Sequence, residues 1–338
     1  MPDPGVAIVG ATGAVGRTML AILEERNFPL SSLRLMASAR SAGRVISTRW
    51  GEVSVEDLAI ADPAGIDIAL FSAGGGRSRE YAPGFAAEGA VVIDNSSTFR
   101  MVSEVPLVVA GVNDHALAAH EGIIANPNCT TMALMMAAGP LHRRAGLSHM
   151  VAMSYQSVSG AGMTGMDTLW NQTAALSHQR EALVQGGWEA TEQPPFPRPI
   201  AFNVVPLAGG MAEDGHTDEE WKLVNETRKI LERDDIAVDP TCVRVPVLVG
   251  HGISASMWFD SPLEVDAALN VLEKAPGVEI WDDARVATPL DSAGRDPVLV
   301  GRVRPTIGAP GGISLWVVGD NLRKGAALNA IEIAELLL

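Results

Sequence analysis

The strongest constraint in this sequence is a short apolar run that leads directly into a glycine-rich turn. Residues 6–9 are followed by G-A-T-G-A-V-G at residues 10–16 and then by a helical pattern that reaches Glu25. Glycines three residues apart allow a tight turn, a close approach of the backbone to a pyrophosphate and close packing of the next helix, whose N-terminal N–H groups attract the anion. This spacing is a variant of the dinucleotide-binding fingerprint. The cofactor contacts predicted from it are Gly10, Thr12, Gly13, Ala14 and Val15.

Short apolar runs alternate with helical patterns through the first 125 residues. The runs predicted as strands are residues 6–9, 33–37, 66–71, 91–94, 107–109 and 123–125. Unbroken apolar runs of this length are typical of parallel strands buried on both faces, so we expect a doubly wound α/β domain.

The pattern changes after about residue 130, where a long helical run ends near Arg144. Polar and apolar residues alternate at residues 242–259 and 298–303, which predicts an α+β domain with an antiparallel or mixed sheet and one face free to pack on a partner. Residues 185–199 are a loop by composition. Residues 324–338 are predicted as a final helix with Ala327, Ile331, Ala334 and Leu338 on one face and with Asn329 and Glu332 away from it.

Composition excludes several classes of protein. The chain has 338 residues, more than one hydrophobic core usually serves, and its 47% hydrophobic content beside 19% charge excludes a disordered chain. The longest apolar stretch, residues 132–141, is too short to span a bilayer. A net charge of −15 disfavours nucleic-acid partners. Two cysteines and the lack of a basic leader favour a reducing cytoplasm, and no metal is expected.

The residues after the second predicted strand indicate which nicotinamide cofactor is used. An NAD enzyme carries a carboxylate there for the ribose hydroxyls. This chain has Ser38, Arg40 and Ser41 instead, which suit a 2′-phosphate. The sequence therefore predicts NADP rather than NAD.

Cys129 stands where a strand turns into a helix. It lies in N-P-N-C-T-T at residues 126–131, directly before an apolar helical run. A thiol at a helix N-terminus feels its positive end, and such sites lower a cysteine pKa from about 8.5 to roughly 3.5–7.5. From the residues alone, two interpretations of Cys129 stay open, a nucleophile and a small buried hydrophobe. Cys242, inside an apolar run, is predicted to be the second kind.

The helix that starts near Thr217 carries two charged residues three positions apart. Thr217 and Glu220 stand at capping-box spacing, so Glu220 is expected to be occupied at the helix end. Glu219 and Lys222 then share one face of the helix.

Six phrases along the chain together resemble the aspartate-β-semialdehyde dehydrogenase family. They are GATGAVG at residues 10–16, NPNCTT at 126–131, SYQSVSGAG at 154–162, EEWK at 219–222, RVPVLVGH at 244–251 and GDNLRKGAALN at 319–329. The resemblance implies a Rossmann-type N-terminal domain, residues 1–128 completed by residues 322–338. A catalytic and dimerisation domain of the glyceraldehyde-3-phosphate-dehydrogenase-like type would cover residues 129–321.

The resemblance also implies an activity. Members of the family are homodimeric and reduce L-aspartyl-4-phosphate to L-aspartate-4-semialdehyde with NADPH, for lysine, threonine, methionine and diaminopimelate synthesis. The catalytic residues it implies are Cys129 as nucleophile, His251 as acid/base and Gln156, which orients the substrate. The substrate ligands are Arg244 for the carboxylate and Glu219 for the ammonium group, with Gln156 beside them. The phosphate ligands are Arg100, Asn128 and Lys222. The further cofactor contacts are Ser159, Gly160 and Asn321. Since imidazole titrates near neutrality, His251 is expected to move protons in both directions.

Three other interpretations are weaker on particular residues. A glyceraldehyde-3-phosphate dehydrogenase would carry asparagine where this chain has Met132. An N-acetyl-glutamyl-phosphate reductase usually carries glycine where Asn128 stands. A catalytically silent relative would be expected to lose Cys129 or His251, and both are present.

Overall fold

The computed structural model describes residues 3–187, 194–282 and 284–338, which form two compact units. The first unit comprises Met1–Gly139, Asn225–Asp234 and Leu322–Leu338, and the second comprises Pro140–Val224 and Asp235–Asn321. No helix within these described ranges is long and apolar enough to cross a membrane.

The strands and helices are numbered here in chain order. The strands are β1 Gly5–Val9, β2 Ser32–Ala37, β3 Val45–Thr48, β4 Gly51–Asp57, β5 Ile68–Phe71, β6 Val91–Asp94, β7 Ile123–Ala125, β8 Leu147–Gln156, β9 Ala237–Arg244, β10 His251–Phe259, β11 Val278–Trp281, β12 Val298–Pro305 and β13 Gly312–Gly319. The α-helices are α1 Ala14–Glu25, α2 Gly75–Ala87, α3 Cys129–Ala145, α4 Gly162–Leu176, α5 Arg180–Gln185, α6 Asp218–Ile230, α7 Val265–Glu273, α8 Pro289–Ser292 and α9 Leu328–Leu336. Short 3₁₀ turns cover Asp114–Ala119 and Val158–Ala161, and a π-helical turn covers Arg323–Ala327.

The first unit is a doubly wound α/β domain, as the alternation of strands and helices predicts. Its sheet has the order β3-β4-β2-β1-β5-β6-β7, and every neighbouring pair is parallel except β3 with β4. Ile8 of β1 belongs to a core that includes α1 and α9, whereas the adjacent Val9 belongs to a core that includes α2. Both faces of β1 are therefore covered, which explains its unbroken apolar sequence.

The second unit contains the mixed sheet that the alternating pattern predicts. Its order is β11-β12-β13-β10-β8-β9, antiparallel through the middle, with a parallel pair at each edge. Along β8 the burial alternates, so that Met150 and Ala152 are fully buried while Met153 and Tyr155 are 44% and 38% exposed. One face of this sheet thus packs in the core of the second unit, and the other carries exposed apolar side chains.

Two predictions about local structure are wrong. Residues 107–109 form no strand, because only Leu107 makes a bridge, to Ala125, and the N–H of Val109 is taken by the Asn113 side chain. Asn329 was expected to face away from the core but is fully buried, while Leu338 is 45% exposed. α9 is buried on almost every side, which includes Asn329, and it ends at Leu336, so Leu338 lies beyond it.

Two further predictions are not settled by the described structure. The predicted loop at residues 185–199 falls partly outside the described residues. The predicted domain limits also stay a prediction. The compact units differ from them, because the first unit also holds residues 129–139 and 225–234.

Candidate active site

The loops of the first unit that carry the predicted chemistry all leave the same edge of its sheet. β1, β2, β6 and β7 run parallel, so their carboxyl ends lie side by side. Ligands of open parallel sheets bind at this edge. The segments that follow these strands contain the glycine turn, Arg40, Arg100 and Cys129.

The glycine turn after β1 has the geometry of a diphosphate cradle. Gly10 has φ +94°, and a Cβ there would lie 2.3 Å from the carbonyl oxygen of Ser72. A Cβ at Gly16 would lie 2.3 Å from the Gly10 oxygen, so α1 can approach the turn only without it. Gly13 precedes α1, whose first turn has no acidic residue, and among the described residues no side chain caps this end. These features fit the diphosphate of a dinucleotide.

The segment after β2 lies beside this turn. The Thr12 hydroxyl is 3.4 Å from the Ser41 hydroxyl, and Arg40 is exposed. Residues 38–44 include two arginines and no carboxylate. The segment therefore suits a phosphate better than a ribose diol.

Cys129 is the first residue of α3, as predicted, and it is partly exposed. The Asn128 side-chain oxygen accepts the N–H groups of Thr130 at 2.9 Å and Thr131 at 3.4 Å, so Asn128 is the helix cap. Cys242 is 1% exposed, and burial raises the pKa of its thiol to about 12. Of the two thiols, only Cys129 therefore combines access with the electrostatics of a helix start.

The segment before Cys129 is fixed by a buried polar network that the sequence did not predict. The Asn126 oxygen accepts an N–H of Asn329 at 2.6 Å, and the Asn126 amide donates to the Ala326 carbonyl at 3.0 Å. Lys324, 3% exposed, donates to Asn329 at 3.2 Å and to Glu332 at 2.5 Å. The C-terminal segment thus holds the backbone that presents the thiol.

Arg100, predicted to bind phosphate, is held by three hydrogen bonds within the first unit. Nε donates to the Asn126 carbonyl at 2.9 Å, Nη2 to the Asn95 carbonyl at 2.8 Å and Nη1 to Glu226 at 2.9 Å. Glu226 also accepts the backbone N–H of Asn128 at 2.7 Å. Glu226 is not among the residues predicted from the sequence, although its place seven residues after Glu219 puts both on one face of α6.

In the second unit, strand directions bring the predicted residues to one edge of the sheet. Gln156 ends β8 and pairs with Arg244, which ends the parallel strand β9. His251 begins the antiparallel strand β10 and pairs with Gly319 at the end of β13, two residues before Asn321. Gln156 is 1% exposed, and its amide lies 3.5 Å from Glu219.

His251 is fully buried, and its ring is neutral. The N–H of Ser157 donates to Nδ1 at 3.1 Å, so Nδ1 is an acceptor and the proton of the neutral ring resides on Nε2. Burial and the charge of Arg244 lower the pKa of His251 to about 3. The expectation of titration near neutrality is therefore wrong for this arrangement, because desolvation disfavours the imidazolium.

Asn321, predicted as a cofactor contact, organises the surroundings of His251. Its side-chain oxygen accepts the N–H of Gly250 at 2.9 Å and the hydroxyls of Ser157 at 3.1 Å and Ser159 at 3.0 Å. The Ser157 hydroxyl also lies 3.1 Å from Nδ1 of His251. One amide thus fixes the turn that orients the imidazole.

Arg244 depends on a glycine for its position. It is 9% exposed, and Nη1 donates to the Ser157 carbonyl at 3.1 Å. A Cβ at Gly160 would lie 2.6 Å from the same nitrogen. A side chain at Gly160 would therefore displace the guanidinium.

The start of α6 confirms the predicted capping box. The N–H of Thr217 donates to Glu220 at 2.8 Å, and the N–H of Glu220 donates to the Thr217 hydroxyl at 3.2 Å. Lys222 lies 2.8 Å from Glu219 and 3.0 Å from Asp218. Burial acts to lower the pKa of Lys222, but these two carboxylates outweigh it and raise the pKa, so Lys222 is an ammonium group. No group of acidic, histidine or cysteine residues in the described chain has the arrangement of a metal site.

Comparison with known proteins gives matches along nearly the whole chain. Residues 5–120 match the semialdehyde dehydrogenase NAD binding domain, and residues 139–324 match the semialdehyde dehydrogenase dimerisation domain. Aspartate-semialdehyde dehydrogenases of Streptomyces akiyoshiensis and Corynebacterium glutamicum are 53% and 51% identical. The matches cover 98% of this chain in both cases, and 98% and 99% of the relatives.

The fold of the chain is also similar to that of a solved structure. Aspartate semialdehyde dehydrogenase II of Vibrio cholerae, complexed with ASA, superposes with a TM-score of 0.93 at 44% identity. The match covers 100% of this chain and 98% of that one.

The difference between the two thiols predicts selective alkylation. Iodoacetamide at about pH 8 should label Cys129 and leave Cys242 unmodified in the folded protein, because a buried thiol with a pKa of about 12 forms almost no thiolate. Peptide mass spectrometry measures the sites. Cys242→Ala should be labelled like the wild type and Cys129→Ala should not, whereas label on Cys242 before unfolding would contradict the assignment.

The lowered pKa of His251 predicts a pH-dependent loss of stability. Below the ordinary value of 6.5 the unfolded chain binds a proton that the folded chain binds only near pH 3. As the pH falls from about 6.5 to about 3, the free energy of unfolding therefore decreases, and this group contributes up to about 1.4 kcal/mol per pH unit. His251→Asn keeps an acceptor for the Ser157 N–H and should lose less stability between about pH 7 and about pH 5 in urea denaturation. The exposed control His178→Asn should keep the wild-type slope, and equal slopes in all three proteins would disprove the prediction.

Proposed function

The chain belongs to the aspartate-semialdehyde dehydrogenase family, and on that basis we propose that it reduces L-aspartyl-4-phosphate to L-aspartate-4-semialdehyde with NADPH through a thioester on Cys129. One observation carries the proposal. Cys129 is a partly exposed thiol at the capped start of α3, on the edge of the sheet where the glycine turn also lies.

Cys129 is the nucleophile of the proposed reaction. Its sulfur attacks the acyl carbon, a C–S bond forms, and phosphate leaves with the electron pair of the broken C–O bond. Covalent catalysis of this kind replaces one difficult displacement by two easier steps. When bound at the glycine turn, NADPH supplies the hydride for the second step. The position at the helix start supports the thiolate throughout.

His251 is the proposed acid/base. Through its Nε2–H the neutral imidazole can protonate the oxyanion of the thiohemiacetal, and Nε2 can take that proton back when the C–S bond breaks, the aldehyde forms and the thiolate leaves. The hydrogen bond from Ser157 to Nδ1 leaves Nε2 as the atom that carries the exchangeable proton. Burial and the charge of Arg244 disfavour the imidazolium, so the ring returns to its neutral form after each proton transfer.

Charged side chains that are largely buried are the proposed ligands of the substrate. Arg244 would bind the α-carboxylate through its planar fork, and Glu219 would bind the ammonium group beside Gln156. Arg100, Asn128 and Lys222 would bind the phosphate, which is a co-substrate in the reverse direction. The chain as a whole is acidic, so placed cations of this kind are needed to hold an anion.

We propose that the enzyme is a homodimer in the cytoplasm that serves lysine, threonine, methionine and diaminopimelate synthesis. The matched dimerisation domain and the exposed Met153 and Tyr155 support the dimer. Two free cysteines are consistent with a reducing compartment. Neither a nucleic acid nor a membrane is proposed as a partner.

The reverse reaction tests the proposal. We expect steady formation of NADPH from NADP⁺ and L-aspartate-4-semialdehyde, beyond one equivalent per active site, only when inorganic phosphate or an analogue is added, since the thioester needs an acceptor before the next turnover. Cys129→Ala should reduce the rate roughly 10³-fold or more, while Cys242→Ala keeps it. Absorbance of the reduced cofactor reports the rate. Phosphate-independent turnover, or faster turnover of N-acetylglutamate semialdehyde, would overturn the proposed function.

The assignment of the 2′-phosphate site predicts a change in cofactor preference. Arg40→Asp should raise the KM for NADP⁺ about tenfold or more and change the KM for NAD⁺ little, because the variant loses a charge-assisted contact made only to the 2′-phosphate. Steady-state kinetics with both cofactors measure this. The same change of charge at the exposed Arg198 is the control, and equal effects of Arg40→Asp on both cofactors would argue against an NADP site.

A further inference from the structure

Four residues of alternating charge follow one face of α6. Glu219, Lys222, Glu226 and Lys229 are spaced by three, four and three positions, so they share a helix face. The first two have roles in the proposed reaction. Glu226 and Lys229 have none there, and both lie in the part of α6 that belongs to the first unit.

The carboxylate of Glu226 is almost completely buried and uses both oxygens. Its side chain is 1% exposed, Oε1 is 2.9 Å from Nη1 of Arg100, and Oε2 accepts the N–H of Asn128 at 2.7 Å. A buried carboxylate is unfavourable unless its oxygens are paired. Here each oxygen binds a different segment, so Glu226 joins the Arg100 loop to the residue before Cys129.

Lys229 holds the same loop through its backbone. Its ammonium group donates to the carbonyl oxygens of Arg100 at 2.8 Å, Val102 at 2.7 Å and Val105 at 2.8 Å. The main chain of Arg100 is thus fixed by Lys229 and its guanidinium by Glu226.

Neither residue is placed to touch the substrate. The two oxygens of Glu226 are taken by Arg100 and Asn128, and the ammonium group of Lys229 is taken by three carbonyls. Glu226 fixes the position of the Arg100 guanidinium relative to Asn128, the helix cap. The proposed function assigns both residues to phosphate binding.

We propose that Glu226 is a positioning residue of the phosphate site, which fixes Arg100 and Asn128 at the separation that phosphate requires. The proposal rests on the proposed function, because it is that function which makes Arg100 and Asn128 phosphate ligands. A carboxylate is needed, since it offers two acceptor oxygens to two donors. An amide offers only one, and its NH₂ group would face a donor in either orientation.

The experiment compares Glu226→Gln with wild type in the phosphate-dependent reverse reaction. We expect the KM for phosphate to rise about 10- to 100-fold, because a hydrogen bond to a charged group is lost, with little change in the KM for NADP⁺. A purely structural role would reduce the amount of active protein without this selective change. Glu232→Gln, which removes an exposed carboxylate 2.7 Å from His115, is the matched control and should keep the KM for phosphate.

Two further variants keep the proposal testable if Glu226→Gln folds poorly. Glu226→Asp keeps both oxygens on a shorter stem and should raise the KM for phosphate less than Glu226→Gln. In a double-mutant cycle, Arg100→Lys and Glu226→Asp should have less than additive effects on that KM, because both disturb one interaction.

The outcomes separate this inference from the proposed function. If wild type saturates with phosphate and the Glu226 variants keep its KM for phosphate, or if the double-mutant effects are additive, the positioning role is wrong. If wild type needs no phosphate, the proposed function itself fails.

Discussion

The direction of the strands is the constraint on which the rest of the structure depends. Backbone hydrogen bonds hold neighbouring strands about 4.8 Å apart, so the segments that follow parallel strands must emerge side by side. In the first unit this places the glycine turn, the Arg100 loop and Cys129 along one edge. In the second unit, parallel and antiparallel neighbours together bring Gln156, Arg244 and His251 to one edge. Polar residues at these strand ends are held in fixed positions, because the sheet that carries them is rigid.

Burial then gives these polar groups properties that they would lack in water. His251 is neutral because its charged form would be desolvated beside a guanidinium, while Lys222 stays charged because two carboxylates surround it. Glu226 and Lys324 are also buried, and both are satisfied by several partners. Each pairing fixes the orientation of the charged side chain. The same charged groups without partners would strongly destabilise the folded protein.

Sequence could predict what is local in the chain. The glycine turn, the position of Cys129 at a helix start and the capping box of Thr217 and Glu220 depend on residues a few positions apart, and the structure contains all three. The alternation of apolar and polar residues predicted the doubly wound domain and the mixed sheet, and the resemblance to the family added the Rossmann-type assignment. Interactions between residues far apart in the sequence could not be predicted from local patterns. Glu226 meets Asn128 across 98 residues of sequence, and the buried Asn329 is paired with Asn126, 203 residues earlier in the chain.

The position of α9 has a consequence for how the protein is made. Asn329 hydrogen-bonds to Asn126, 203 residues earlier in the chain, and its neighbours complete the core on one face of the first sheet. Domains generally begin to fold while the ribosome is still at work. This domain cannot cover that face of its sheet until residues 328–336 have left the ribosome, so the nascent chain exposes the face to chaperones and proteases until then.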